Sequence, residues 1–162
     1  MAADFAGVVG ALIDGGVEVI LIGGLAAQAH GSARLTQDTD FLYRRTEDNI
    51  ARMAATLAPH APYLRGAPAG LPFRFDTATI KRGLNFTLTT ALGDVDLLGE
   101  VVGIGDYEAV VSHTLRLPIF GRELLVVDLP TLIRSKRAAG RPKDLEAIAE
   151  LEALLAERAR AP

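Results

Sequence analysis

The chain has 162 residues, a formal net charge of −3 and no cysteine, with 49% of its residues hydrophobic and 23% charged. That length holds one domain with a real core, and the missing cysteines exclude disulfides, thiolate metal sites and a cysteine nucleophile. The acidic balance argues against bulk electrostatic binding of nucleic acid, and no run approaches the roughly 18 apolar residues of a membrane span. Without the basic N-terminal region of a signal peptide, a soluble, cytoplasmic protein with no membrane partner is expected.

In chain order, "DFAGVVGALID" (4–14) spaces its apolar residues as a helix does, and the glycine pair at 15 and 16 stops it. "VEVILIGG" is a β-branched run ended by glycine, read as a buried strand, and "GLAAQAHGS" suits a short helix of small residues. "TDFLY" predicts a second strand, and "TEDNIARMAATLAPH" a helix with Thr46 as N-cap and an acidic first turn. The proline- and glycine-rich segment from Pro59 to Pro72 predicts a loop that partly covers a site.

"RGLNFTLTTA" and "VDLLGEV" predict two strands joined at Gly93 and Asp94, and "TLRLPIFGRELLVVD" a second hairpin turning over Phe120 to Arg122. The glycines from Val102 to Gly105 are read as a turn. Two helices close the chain, "LPTLIRSKRAAG" with Gly140 as its stop and "RPKDLEAIAELEALLAERAR" with Pro142 near its start. The expected class is α/β (α+β), a small mixed sheet flanked by helices with a C-terminal helical segment. One domain is expected over 1–162, with a core of about 15–128 and terminal helices of about 129–160.

Side chains alternate along a strand, so Asp38 and Asp40 are expected on one face, with Cα atoms about 6.5 Å apart. Asp96 lies in another strand-like run; if the strands are neighbours, three carboxylates converge. Such a cluster repels itself unless a cation neutralises it, and oxygen ligation favours Mg²⁺ or Mn²⁺. A lone D-x-D more often caps turns. Here the flanks add Gly23 and Gly24 at a strand-to-helix junction, where backbone N–H groups meet a phosphate, and Arg34 and Thr36, a cation and a hydroxyl within reach of a triphosphate.

These residues carry a resemblance. "GG" after an apolar strand, "DTDF" about a dozen residues later and a third acid in "VDLL" resemble the nucleotidyltransferase superfamily with the DNA polymerase β-like fold. "IGGLAAQAHGSARLTQDTDF" with "LIRSKRAAGRPKDLEAIAELEAL" resembles the small bacterial nucleotidyltransferase-like proteins related to the AbiEii toxins of type IV toxin–antitoxin systems, over roughly residues 15 to 155.

The resemblance implies the nucleotidyltransferase fold and transfer of an NMP from an NTP to a hydroxyl acceptor, with release of pyrophosphate. It makes Gly23 and Gly24 the phosphate-facing turn, Asp38 and Asp40 paired metal ligands, and Asp96 the third carboxylate. It also turns Lys136 and Lys143 towards the nucleotide, with Asp144 holding one of them or its neighbour by an ion pair; Lys81 and Arg82 are a lesser source of positive charge. The implied acceptor is tRNA, as for a toxin with a cognate antitoxin, or a small hydroxylated drug. Where many members have Gly-Ser this chain has Gly-Gly, which motivates a rival reading: a nucleotide-binding or protein-interaction module that has lost the reaction. The histidines His30, His60 and His113 have no ligand spacing, so zinc is rejected and His30 is read as structural. No serine sits in G-x-S-x-G, which leaves serine-hydrolase chemistry unsupported.

Overall fold

The structure, a computed structural model, describes residues 4–160. Asp4 caps the first helix by accepting from the Gly7 amide at 2.8 Å. Helix α1 (Phe5–Asp14) buries Val8, Val9 and Leu12. Strand β1 (Val19–Ile22) is buried at every position, as a strand covered on both faces must be. Helix α2 (Gly23–Ala29) starts on the next residue, and β2 (Thr39–Tyr43) returns antiparallel to β1 with Asp40 opposite Ile22. Helix α3 (Glu47–Leu57) has the expected cap, the Thr46 hydroxyl accepting from the Asn49 amide, with Glu47 and Asp48 in its first turn.

The Pro59–Pro72 segment departs from the expectation of a plain loop. It contains an edge strand, β3 (Tyr63–Leu64), which pairs antiparallel with β4 (Asn85–Thr90). Two residues are too few to show an alternating pattern, and prolines are tolerated beside an edge. A short helix, α4 (Thr77–Arg82), capped by Asp76, precedes β4 and was likewise too short to show a period.

The turn from β4 to β5 (Gly93–Leu98) falls at Ala91 and Leu92, with Thr90 opposite Gly93, and Gly93 and Asp94 belong to the strand. The reason is Thr90: its hydroxyl donates to Gly93 O at 2.8 Å and accepts from the Leu92 amide at 3.0 Å, closing the turn without a glycine at its centre.

A small hairpin of β6 (Glu100–Val101) and β7 (Gly105–Asp106) leads into α5 (Tyr107–Val110). Then β8 (Thr114–Ile119) and β9 (Arg122–Val127) form a hairpin through Phe120 and Gly121, at φ +50° and +80°, the left-handed pair that a two-residue hairpin turn requires. Helix α6 (Leu129–Ala139) is capped by Asp128 and stopped by Gly140 at φ +66°, and α7 (Pro142–Arg160) packs against it.

The seven strands of the main sheet run β3-β4-β5-β2-β1-β9-β8. The β2–β5 and β1–β9 pairs are parallel and the others antiparallel, so this is a mixed α+β protein. Helix α2 packs on β1, β2, β9 and α6, whereas α1 meets α3 and α3 meets α4. In β4 the residues alternate, with Phe86, Leu88 and Thr90 buried and Asn85, Thr87 and Thr89 facing outward. This outer part of the sheet therefore has one uncovered polar face. Among the described residues no helix is long and apolar enough to cross a membrane.

His30, at the end of α2, is 3% exposed. Its Nε2 lies 2.6 Å from Val127 O and its Nδ1 2.9 Å from Arg158 Nη1, while Arg158 Nη2 donates to His30 O at 3.0 Å. Nε2–H must donate to the carbonyl and Nδ1 accept from the guanidinium, so the ring is neutral and ties α2 to both β9 and α7. Burial lowers its pKa from 6.5, and the Arg158 charge adds to this against the opposing Val127 hydrogen bond. The unfolded chain takes up that proton first, so stability is lost as pH falls from 6.5 towards the lowered folded value. Thermal melts between about pH 5 and 8 are expected to show this acid loss, and His30→Gln to flatten it.

Candidate active site

Beside the uncovered sheet face lies a cavity of about 480 Å³. It is lined by Gly23 and Gly24 from the β1–α2 junction, Arg34, Thr36 and Asp38 from the loop before β2, Asp40 and Asp96 from the sheet, and Lys136 and Lys143 from the terminal helices. Lys81 and Arg82 do not line it, and Lys81 pairs instead with Glu47 at 3.1 Å.

Asp40 and Asp96 are register partners on the adjacent parallel strands β2 and β5. Burial first, then Asp96 and Asp38, push the Asp40 pKa up from 3.8 to about 7; Lys136 opposes this. Asp38 lies one residue ahead of β2 and is exposed, so it joins the cluster from the rim and not from within the strand.

The β1–α2 junction is shaped by these acids. Gly23 has φ +70°, and a Cβ there would stand 2.1 Å from Asp40 Oδ2, so both conformation and space require glycine. At Gly24 a Cβ would stand 2.6 Å from Thr36 Oγ1 and 2.7 Å from Thr36 Cβ. The Thr36 hydroxyl thus fills the space where a side chain at position 24 would begin. It is itself turned towards Asp38, accepting from the Asp38 amide at 3.3 Å.

The loop from Gly31 to Asp38 is braced by α7. Glu150 accepts from Ser32 Oγ at 2.5 Å and from the Ala33 amide at 3.0 Å, and Glu146 pairs with Arg34 at 3.7 Å. On α6, Lys136 Nζ lies 3.7 Å from Asp144 Oδ1. Asp144, 1% exposed, also accepts from Arg141 Nε at 2.6 Å and from the Arg141 amide at 3.2 Å. Burial pushes its pKa up, but the hydrogen bond and charge of Arg141, with Lys136, outweigh burial and leave it lowered. Asp144 therefore holds both Lys136 and Arg141 against the cavity wall. Lys143 lines the cavity with no carboxylate partner among the described residues.

Three participants were missed from the sequence. Glu150 and Glu146 are four apart on a long helix, a spacing that marks one face but not what it meets. Arg65, which lies 2.8 Å from Asp96 Oδ1, carries no motif at all. Among the described residues, no three His, Asp or Glu side chains are gathered as a group that could hold a metal ion. No family model and no curated protein matches the sequence.

The cavity can take a ligand that brings anionic charge to Arg34, Lys136 and Lys143 and positive charge to Asp38, Asp40 and Asp96. Above about pH 7 Asp40 is held ionised against its surroundings. Asp40→Asn is therefore expected to raise the melting temperature at about pH 8, by about 2–4 °C for each 1 kcal/mol of repulsion and desolvation removed. Gly24→Ser is expected to lower stability by about 1–3 kcal/mol through overpacking against Thr36, with Thr36→Gly in the same chain, which removes both clashing atoms, restoring part of it; chemical denaturation measures both.

Proposed function

We propose that the chain has the nucleotidyltransferase fold and is a metal-dependent nucleotidyltransferase. Its reaction would move an NMP from an NTP to a hydroxyl acceptor and release pyrophosphate. The observation that supports this most is the side-by-side placement of Asp40 and Asp96 on parallel strands, in a cavity whose other wall carries Lys136 and Lys143. A half-buried carboxylate pair sharing a cavity with cations suits a polyanion accompanied by its own divalent cation.

The donor set fits Mg²⁺ or Mn²⁺: the ligands are carboxylate oxygens only, and Asp40, raised to about 7 by burial and by Asp96, gains from a nearby dication. Asp38 and Asp40 would hold the metal, with Asp96 completing the site. When bound, the metal supplies charge neutralisation at the transferred phosphoryl group.

The remaining chemistry falls to the chain itself. Arg34, Lys136 and Lys143 neutralise the phosphates, with Lys136 aimed by Asp144. The turn at Gly23 and Gly24 brings backbone close to the phosphates, and Thr36 supplies a hydroxyl where position 24 has none. Asp96 takes the proton of the acceptor hydroxyl as its oxygen bonds to the α-phosphorus; the bond from that phosphorus to the bridging oxygen breaks, and pyrophosphate leaves with the electron pair.

The resemblance to AbiEii-related toxins supports tRNA as acceptor and a cognate antitoxin as partner, and the basic stretch from Arg134 to Lys143 favours RNA over a small drug. Two observations favour the rival reading of a nucleotide-binding module without turnover. Asp96 is already ion-paired with Arg65, and among the described residues no three His, Asp or Glu side chains are gathered as a group that could hold a metal ion.

Transfer of α-phosphate label from each NTP to cellular RNA, protein or small molecules separates the two. Label is expected in one fraction, only with Mg²⁺ or Mn²⁺, and to fall about 100-fold or more in Asp40→Ala. NTP binding with no label in any fraction would move the conclusion to the module.

A further inference from the structure

Arg65 follows β3 directly and is fixed to the sheet by its backbone, its amide donating to Thr87 O at 3.0 Å. From this edge its side chain crosses the uncovered face. Nη2 donates to Leu88 O at 2.7 Å and to Asp96 Oδ1 at 2.8 Å, while Nε stands 3.2 Å from Asp94 Oδ2. Nε is buried without a well-directed hydrogen bond, so its approach to Asp94 is one of charge more than of hydrogen-bond geometry.

The strand order places Asp96 between two claims. Arg65 reaches it from the β3–β4 side, and Asp40 stands beside it on β2. Arg65 itself does not line the cavity that Asp40 and Asp96 share with Lys136. The side chains of Arg65 and Asp96 are 27% and 23% exposed, so water screens the pair only in part. The contact on Asp96 Oδ1 sets a fixed positive charge beside the carboxylate, and a dication drawn to the same acid meets that charge.

We propose that Arg65 is an internal counter-ion that holds Asp96 in the metal-free chain and competes with a divalent cation for that carboxylate. Metal binding at the acids and release of Asp96 by Arg65 are then one coupled event. The release is local, because Leu88 O and Asp94 remain as partners for the guanidinium when Asp96 turns away. Arg65 is a positioning residue: it acts on Asp96 and does not touch the nucleotide cavity. This inference rests on the metal-dependent reading above.

The test is a direct titration with Mn²⁺, without nucleotide, followed by electron paramagnetic resonance of the free ion. Arg65→Gln removes the charge, Arg65→Met removes it while keeping the stem packed, and Arg65→Lys keeps the charge. Thermal melts confirm that each variant is folded, and the methionine variant carries the test where glutamine does not fold. Arg65→Gln and Arg65→Met are expected to bind Mn²⁺ about tenfold more tightly than the wild type, and Arg65→Lys close to it. A merely structural arginine would leave the affinity equal or lower on removal. Mn²⁺ binding by the wild type with no tightening in the folded neutral variants would overturn this inference alone. No Mn²⁺ binding by any of the folded proteins would overturn the metal-dependent reading and this inference with it.

Discussion

Two carboxylates side by side on neighbouring parallel strands are the constraint around which this molecule is arranged. Asp40 and Asp96 cannot both be ionised in a half-covered position without cost, and burial with mutual repulsion raises Asp40 to about 7. The surroundings respond to that cost. Arg65 lies on Asp96, Lys136 acts on Asp40 from the opposite helix, and Gly23 leaves out a Cβ so that the backbone passes within contact of the Asp40 carboxylate.

A second layer holds the cations in place. Lys136 and Arg141 share Asp144, an almost fully buried acid at the start of α7. A buried carboxylate with two cationic partners is over-determined: both long side chains lose freedom before any ligand arrives, so less entropy is left to lose on binding. Further along the same helix, Glu146, Glu150 and Arg158 reach Arg34, Ser32 with Ala33, and His30. Helix α7 is thus the brace for the one loop of the site that has no regular structure, and His30 locks its base to β9 through Val127.

Much of the site was legible because it consists of short local patterns. The D-x-D spacing, the glycine pair ending an apolar strand and the K-x-x-x-G-R-x-K-D run each lie within a few residues, and strand and helix periodicity place them on elements. The elements that escaped were those too short for a period, β3 and α4, and the β4–β5 turn, where the Thr90 hydroxyl closes the chain without the glycine that the expected turn would have used. Arg65 escaped with β3, since an arginine in a proline-rich segment has no spacing relation to the acids it meets 29 and 31 residues later.

The sequence by itself determined which side chains the site could draw on: it has no cysteine, and the local motifs supplied acids, glycines and lysines in fixed order. Tertiary structure alone decided which of them face one another. The parallel pairing of β2 with β5 joins Asp40 to Asp96, the fold of α7 over the loop binds Glu150 to Ser32, and the approach of Thr36 to Gly24 exchanges one position's missing side chain for another's hydroxyl. These contacts depend on strand order and helix docking, and the free energy that sets them comes from burying the apolar face of each element. That face is written in the sequence as a period, whereas the partner that covers it is chosen only when the whole chain packs.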